Sequence, residues 1–379
     1  MRKMVVFLLF FSLLILSTSS FAAPSVSAQA ALVLEQSTGR VLYEKNADSK
    51  LPMASTTKII TALVALENAE QLDEPFKISA TAAGVEGSSM YLEAGETMTL
   101  RELLYGLMLS SGNDAAVAIA ERFGGIDTFV TLMNQKAKEL GANNTHFTNP
   151  NGLPDENHYS SARDMATLTA YAMNNPAFCE IVSTKTFTVS GEGKSYPRTL
   201  SNHNKLLRLC EGCIGVKTGF TKAAGRCLVS AAKRENMTLI CVTLNAPDDW
   251  NDHQNLYKDL FVRYHLTPIL HTGLCLDSIS IENSETTTLP VTPTEDFSYP
   301  LTDKETCTTE LSLSPPLSAP VADKTDAGTV TVRLEDKELK TIPLCTVGNA
   351  PRASIFSSNH SGFLKRIFNA IGHWFDAVF

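Results

Sequence analysis

Met53-Ala-Ser55-Thr-Thr-Lys58-Ile-Ile-Thr-Ala-Leu63 sets a serine and a lysine three residues apart at the head of an apolar run. Residues three apart on a helix share a face, so a helix opened by Ser55 carries Lys58 one turn on, beside the hydroxyl. Serine is a poor nucleophile until a base takes its proton. A lysine can be that base when burial and a second cation lower its pKa towards neutrality. Ile59, Ile60, Leu63 and Val64 mark the helix as largely buried. Its N-terminus also adds positive potential where an oxyanion would form.

An S-x-x-K string alone is common. Here Ser111-Gly-Asn113 and Lys217-Thr-Gly219 follow in order, a set associated with serine acyl transfer. Ser111-Gly-Asn113 falls between two helical runs and reads as a loop. A hydroxyl there can relay a proton to a leaving amine, and the Asn113 amide can fix a peptide carbonyl or the Lys58 ammonium. Alone, the same string is a simple helix start with Asn113 or Ser111 as N-cap. Lys217-Thr-Gly219 ends a strand whose edge can pair with an extended substrate backbone. Lys217 and Thr218 could bind a terminal carboxylate there. Gly219 would let the backbone approach closely. Lys217 is also the candidate second cation for Lys58.

Outward from these strings the chain alternates in kind. Ala30 to Tyr43 reads as a hairpin turning at Ser37-Thr-Gly39. Thr99-Leu-Arg-Glu102 is a capping box for a helix through Leu109. Helices are expected over 114–123, 128–140 and 162–173, the first two stopped by glycines. Strands are expected over 185–189, 215–217, 227–233 and 238–244, the last two joined by Arg234-Glu-Asn. Strands, a helical block, then strands imply an antiparallel sheet whose first and last strands meet, with helices beside it. After about Leu266, Thr, Ser and Pro rise, and Thr329 to Leu344 alternates as a hairpin, giving a small β-rich domain.

The first residues read as an export signal: basic Arg2 and Lys3, an apolar run from Met4 to Leu16, then small residues. Cleavage fits after Ala22 or after Ala28, and the second is preferred because a strand pattern starts soon after. An uncleaved anchor is disfavoured, since the run is short for a spanning helix. The expected layout is a signal over 1–28, a catalytic domain over 29–268, a β-rich domain over 269–352, a polar linker over 353–361 and an amphipathic helix over 362–379. In that tail Lys365, Arg366, Asn369, His373 and Asp376 fall within an arc of roughly 100°. Phe363, Ile367, Ala370, Ile371, Trp374 and Val378 centre on the opposite side, as in a helix lying in a membrane interface.

A net charge of −8 on 379 residues, with no basic stripe, argues against nucleic acid as a partner. Eight cysteines allow many pairings. Cys210-Glu-Gly-Cys213 lacks a second C-x-x-C or a histidine pair, so neither metal nor cofactor is expected. Buried thiols with at most one disulfide are the favoured reading, and Cys213 with Cys227, flanking the K-T-G string, is the expected pair.

The chain resembles the low-molecular-mass penicillin-binding proteins that are D-alanyl-D-alanine carboxypeptidases, the penicillin-binding-protein-5-like group. The residues carrying the resemblance are Met53 to Leu63, Ser110-Ser-Gly-Asn-Asp-Ala-Ala, Phe147-Thr-Asn-Pro-Asn-Gly-Leu-Pro and Gly215-Val-Lys-Thr-Gly-Phe-Thr. It is strong over 29–265 and looser in the β domain and tail. It implies a serine β-lactamase/transpeptidase-like α/β catalytic domain acting on peptidoglycan stem peptides, with β-lactams as covalent inhibitors, at the outer face of the cytoplasmic membrane. It implies Ser55 as the acylated nucleophile, Lys58 as its base, and Ser111 and Asn113 as aids to proton transfer and substrate orientation. Lys217, Thr218 and Gly219 would bind substrate, with the N–H groups of Ser55 and Phe220 forming the oxyanion hole. One departure is visible: the best-known member of the family has Arg between two Asn, where this chain has Asn202-His203-Asn204. A DD-endopeptidase is the alternative, since only the pocket would differ. A class A β-lactamase would need a deacylating glutamate. Glu139-Leu-Gly-Ala-Asn143 mimics that spacing but ends a helix at Gly141. Intact Ser55, Lys58 and Lys217 disfavour a non-catalytic penicillin sensor.

Overall fold

The structure, a computed structural model, describes residues 24–189 and 197–353. The signal up to residue 23 and the amphipathic tail lie outside the described residues.

The N-terminal domain is built on a five-stranded antiparallel sheet. Its order is Val41–Lys45, Ala30–Glu35, Met237–Leu244, Gly225–Arg234, Cys213–Thr221. The first strand and the last do meet, Leu32 opposite Val242. They pair because both are apolar on both faces. Ala30, Leu32, Ile240 and Val242 face the helical block, whereas Ala31, Val33, Leu239 and Cys241 face the other side. A sheet buried on both faces needs a cover on each.

The helical block covers one face with Lys58–Asn68, Leu100–Leu109, Asn113–Arg122, Ile126–Glu139 and Ala162–Ala172. The capping box stands as expected: Thr99 accepts from the Glu102 N–H while Glu102 bonds back to the Thr99 N–H. The other face is covered by a helix over Asp249–Arg263 that apolar periodicity does not announce. Of its apolar residues only Leu256, Tyr257 and Leu260 are buried, with Phe261 half-buried beside them, and polar contacts add to these. His253 bonds Ser230 Oγ at 2.7 Å and Thr243 Oγ1 at 2.9 Å, with burial holding its pKa down at about 3, and Tyr257 OH meets Ser230 Oγ at 2.7 Å. Short elements over Pro176–Ser183 and Arg198–Ser201 were likewise not expected from the sequence.

Val26 to Ala28, on the signal side of the expected cleavage, belongs to this domain. Ser27 donates through its N–H and hydroxyl to Asp252 at 2.9 and 2.7 Å, and Ala28 is buried. At the other end, strand His265–Leu270 crosses the expected boundary at 268 and pairs with Phe297–Leu301. The C-terminal domain is a six-stranded sheet with its own core of Ile279, Val291, Val330, Val332, Ile342 and Leu344.

The expected Cys213–Cys227 disulfide is not present, and all eight cysteines are free. Cys213 lies opposite Ala232 and Cys227 opposite Gly219. The strand from 227 to 232 separates them by roughly 17 Å at about 3.4 Å per residue. A disulfide needs Cα atoms within about 7 Å.

Candidate active site

Ser55 lies in a short 3-10 turn, Ala54–Thr57, that runs straight into the helix beginning at Lys58. Lys58 Nζ stands 3.0 Å from Ser55 Oγ, 2.7 Å from Asn113 Oδ1 and 2.6 Å from the Asn151 carbonyl. Lys58 is 0% exposed. Burial drives its pKa well below the ordinary lysine value, Lys217 lowers it further, and Asp114 opposes both. Both conditions set by the sequence are therefore met.

Asn113 is the first residue of its helix rather than the cap, which is Gly112. Its side chain is thus free of capping and spans the site instead. Oδ1 accepts from Lys58 and Nδ2 donates to the Glu86 carbonyl at 2.7 Å, so the amide fixes the lysine. Gly87 (φ +93) permits this: a Cβ there would sit 2.6 Å from Asn113 Nδ2. Asp114, fully buried, accepts from Ser89 Oγ and from the N–H groups of Met90 and Leu92. It thereby pins the loop that brings Ser88 to the cavity. Ser111 lines that cavity with a left-handed backbone at φ 59.

Strand Cys213–Thr221 is the free edge of the sheet beside Ser55. A Cβ on Gly219 would lie 3.1 Å from Met53 O, Ser55 N and Thr56 N, so glycine allows the strand to close on the turn. Lys217 is 1% exposed and donates to the Thr218 carbonyl at 2.9 Å. Burial lowers its pKa to about 7. Phe220, 66% exposed, marks the outer end.

These parts enclose a cavity of about 290 Å³ walled by Ser55, Ser88, Ser111, His203, Thr218 and Gly219, among others. The pKa of His203 is lowered by burial and then by Lys217. Asn202 and Asn204 do not reach the cavity. They fix the loop, Asn202 by donating to Val182 O and Thr184 O, and Asn204 by accepting from the Leu206 N–H. Glu139 lies at its helix end, 2.7 Å from Lys136, and does not line the cavity.

The sequence reading missed four contributors: the Asn151 carbonyl, Ser88, Asp114 and the wall formed by Arg226, Asp249 and Trp250. The Asn-Pro-Asn-Gly turn at 149–152 was the available signal for the first. Its Asn149 Oδ1 accepts from the Gly152 N–H at 2.7 Å, a local turn bond that asparagine favours.

The chain is similar to known proteins. The family model described as D-alanyl-D-alanine carboxypeptidase matches residues 17–248, and that of the penicillin-binding protein 5 C-terminal domain matches 264–351. The chain is 33% identical to the D-alanyl-D-alanine carboxypeptidase DacF of Bacillus subtilis over 92% of its own length and 90% of the relative's. It is 36% identical to a D-alanyl-D-alanine endopeptidase of Pseudomonas aeruginosa over 58% of its length and 72% of the relative's. The crystal structure of penicillin-binding protein 5 from Haemophilus influenzae superposes with a TM-score of 0.73 at 28% identity, over 87% of this chain and 99% of that one. With a buried lysine against a serine hydroxyl and both family models in chain order, this protein belongs to the D-alanyl-D-alanine carboxypeptidase family of serine peptidases.

Proposed function

We propose that the carboxypeptidase reaction runs through an acyl-enzyme on Ser55. The 3.0 Å contact between Lys58 Nζ and Ser55 Oγ carries this reading. Ser55 Oγ attacks the carbonyl carbon of the penultimate D-alanine in a peptidoglycan stem pentapeptide. Its proton passes to Lys58, and the oxyanion is met by the N–H groups of Ser55 and Phe220. Ser111 and Asn113 assist transfer of a proton to the amine of the leaving D-alanine. Water then attacks the ester, its proton returns through Lys58, and Ser55 is restored. Lys217, Thr218 and Gly219 hold the substrate end. A β-lactam acylates the same oxygen. Among the described residues, Asp249 is the one carboxylate lining the cavity, and it is bound by Arg226, which supports a slowly hydrolysed penicillin adduct. Intact-mass analysis after penicillin treatment tests this: wild type gains one adduct, Ser55→Ala gains none, and an adduct on the variant overturns the assignment.

Endopeptidase action is the second reading, supported by the name of the Pseudomonas relative. Release of D-alanine from a muropeptide pentapeptide, against cleavage of a cross-linked dimer, separates them.

The site of action follows from the ends of the chain. We infer export by the N-terminal signal to the outer face of the cytoplasmic membrane, with the 362–379 helix lying in the interface. The bonds between Ser27 and Asp252 favour cleavage after Ala22 over Ala28, because the later cut would strip a buried carboxylate of its partners. N-terminal sequencing of the mature protein tests the cleavage. Fractionation after deletion of 362–379 tests the tail: release from membranes with D-alanine release intact is expected, and retention would overturn it.

A further inference from the structure

His158 is buried beneath the turn that carries Ser55, and the proposed reaction does not use it. It stands at the closed base of the loop that follows Phe147. There His146 and Tyr159 exchange backbone hydrogen bonds, and Ser160 does the same with Leu51. The ring nitrogen Nδ1 lies 3.0 Å from the Thr148 nitrogen, and Nε2 lies 2.8 Å from Thr57 Oγ1. A backbone N–H can only donate, so Nδ1 accepts and the neutral ring carries its proton on Nε2. The Thr57 hydroxyl has one proton, which goes to the Ala54 carbonyl at 2.8 Å. Its oxygen therefore accepts from Nε2–H. The donors run in one direction, from Thr148 N–H through His158 and Thr57 to the Ala54 oxygen. Burial keeps the ring neutral, with a pKa lowered to about 4. Asp155 opposes that shift, whereas His146 and Lys58 add to it.

The Ala54 carbonyl and the Ser55 N–H belong to one peptide unit. That unit is planar and trans, so its oxygen and its N–H point in opposite directions. A hydrogen bond that fixes the carbonyl on one side aims the N–H on the other. The Ser55 nitrogen faces the edge strand: a Cβ on Gly219, the residue before Phe220, would lie 3.1 Å from it. The unit also needs holding, because Ala54 is left-handed at φ 49. We propose that His158 is a positioning residue that acts through Thr57 to aim and polarise the Ser55 N–H at the oxyanion formed in acylation. Hydrogen bonds in a chain strengthen one another, so the pull on the carbonyl makes the N–H a stronger donor. This inference rests on the acyl-enzyme reading.

The test uses the full chain and three variants, Thr57→Val, His158→Ala and His158→Gln. Gln keeps an N–H donor where Nε2 stood. Penicillin acylation is resolved into prior binding and the acylation rate constant. Affinity is also measured for a peptide boronic acid, whose tetrahedral adduct on Ser55 Oγ sets an oxygen where the oxyanion forms. Thr57→Val and His158→Ala should lower the acylation rate constant roughly 10- to 100-fold, below the 10²- to 10³-fold that follows loss of a whole oxyanion donor. Boronate affinity should fall in parallel, prior penicillin binding should stay unchanged, and His158→Gln should recover most of the loss. Thr57→Val removes one hydroxyl and keeps the side-chain shape, so it decides the matter where the larger deletion at 158 costs folding. Nitrogen NMR of the wild-type histidine rings should show His158 neutral and protonated on Nε2 at neutral pH. An unchanged acylation rate constant in Thr57→Val, a loss confined to prior binding, or the opposite tautomer would overturn the role of His158. A wild type that gains no adduct on Ser55 would instead overturn the acyl-enzyme reading and this inference with it.

Discussion

At the scale of single residues, the proposed acylation turns on two buried lysines. Lys58 Nζ lies within hydrogen-bond distance of three oxygens, Ser55 Oγ, the Asn113 side-chain oxygen and the Asn151 carbonyl. A neutral amine has two donors and one lone pair. In the proposed reaction both donors are spent on Asn113 and Asn151, which leaves the lone pair for the Ser55 proton. Burial is the main force that holds the Lys58 pKa down, and Lys217 lowers it further while it carries its proton, since like charges disfavour the protonated form. Removing the charge raises the pKa of Lys58, so the rise of acylation with pH should move to higher pH in Lys217→Met. Stopped-flow acylation by penicillin across pH checks it, and a shift to lower pH would overturn the coupling. The same variant reports on stability. Lys217 titrates at about 7 in the folded protein, against 10.5 for an ordinary lysine of the unfolded chain. Between these values the unfolded chain holds a proton that the folded one has lost, so this lysine's contribution to stability rises with pH through that window. Below about pH 7 its cost is fully present. Lys217→Met should therefore melt above wild type at about pH 6, with the difference narrowing towards about pH 10.

At the scale of elements, the site is made by close approaches of backbone. The 149–153 loop packs under the turn that carries Ser55, and a Cβ on Gly152 (φ +87) would fall 2.1 Å from the Ala54 carbonyl oxygen. Ala54 is itself left-handed at φ 49, a conformation a non-glycine residue holds at a cost of about 1–2 kcal/mol. Neither backbone has room to yield without moving Ser55. Gly152→Ala should thus lose more than about 2 kcal/mol, the left-handed penalty plus the clash, and should acylate more slowly. Gly39→Ala is the contrast. Its φ is +68, but nothing lies within 4 Å. It should cost about 1–2 kcal/mol and leave acylation unchanged. Denaturant melts and acylation rates of the two variants check this, and equal behaviour would refute the packing argument.

At the scale of the molecule, one arginine joins the catalytic domain to the β-rich domain. Arg40, just beyond the first hairpin turn, donates to the Pro300 carbonyl and pairs with Glu305. Its Cζ lies 5.2 Å from the Tyr264 ring centroid and 5.1 Å from that of Tyr299. Cation–π contacts of this kind contribute about 0.5–2 kcal/mol, more as they are desolvated. The contact lies on the sheet edge away from Ser55, five strands across. Arg40→Ala should speed limited proteolysis near residue 264 and leave D-alanine release at the wild-type rate. Unchanged proteolysis would show that the strand pair 265–270 with 297–301 holds the domains without it.

The sequence by itself determined what is local. A serine three residues before a lysine on an apolar helix, the Thr99–Glu102 cap, and the apolar runs of Ala30–Glu35 and Met237–Leu244 each follow from the residues within one element. So did the order of helical block and sheet. The tertiary structure decided what depends on pairs distant in sequence. The helix over Asp249–Arg263 is held by polar contacts to Ser230 and Thr243, partners that no periodicity reveals. The same register that puts Gly219 opposite Cys227 denies that cysteine a disulfide with Cys213 and puts Arg226 opposite Phe220. Lys58 shows the division most plainly. Its distance from Ser55 is fixed by one helical turn, but its low pKa comes from burial and from Lys217, residues away in the chain and brought beside it only by the edge of the sheet.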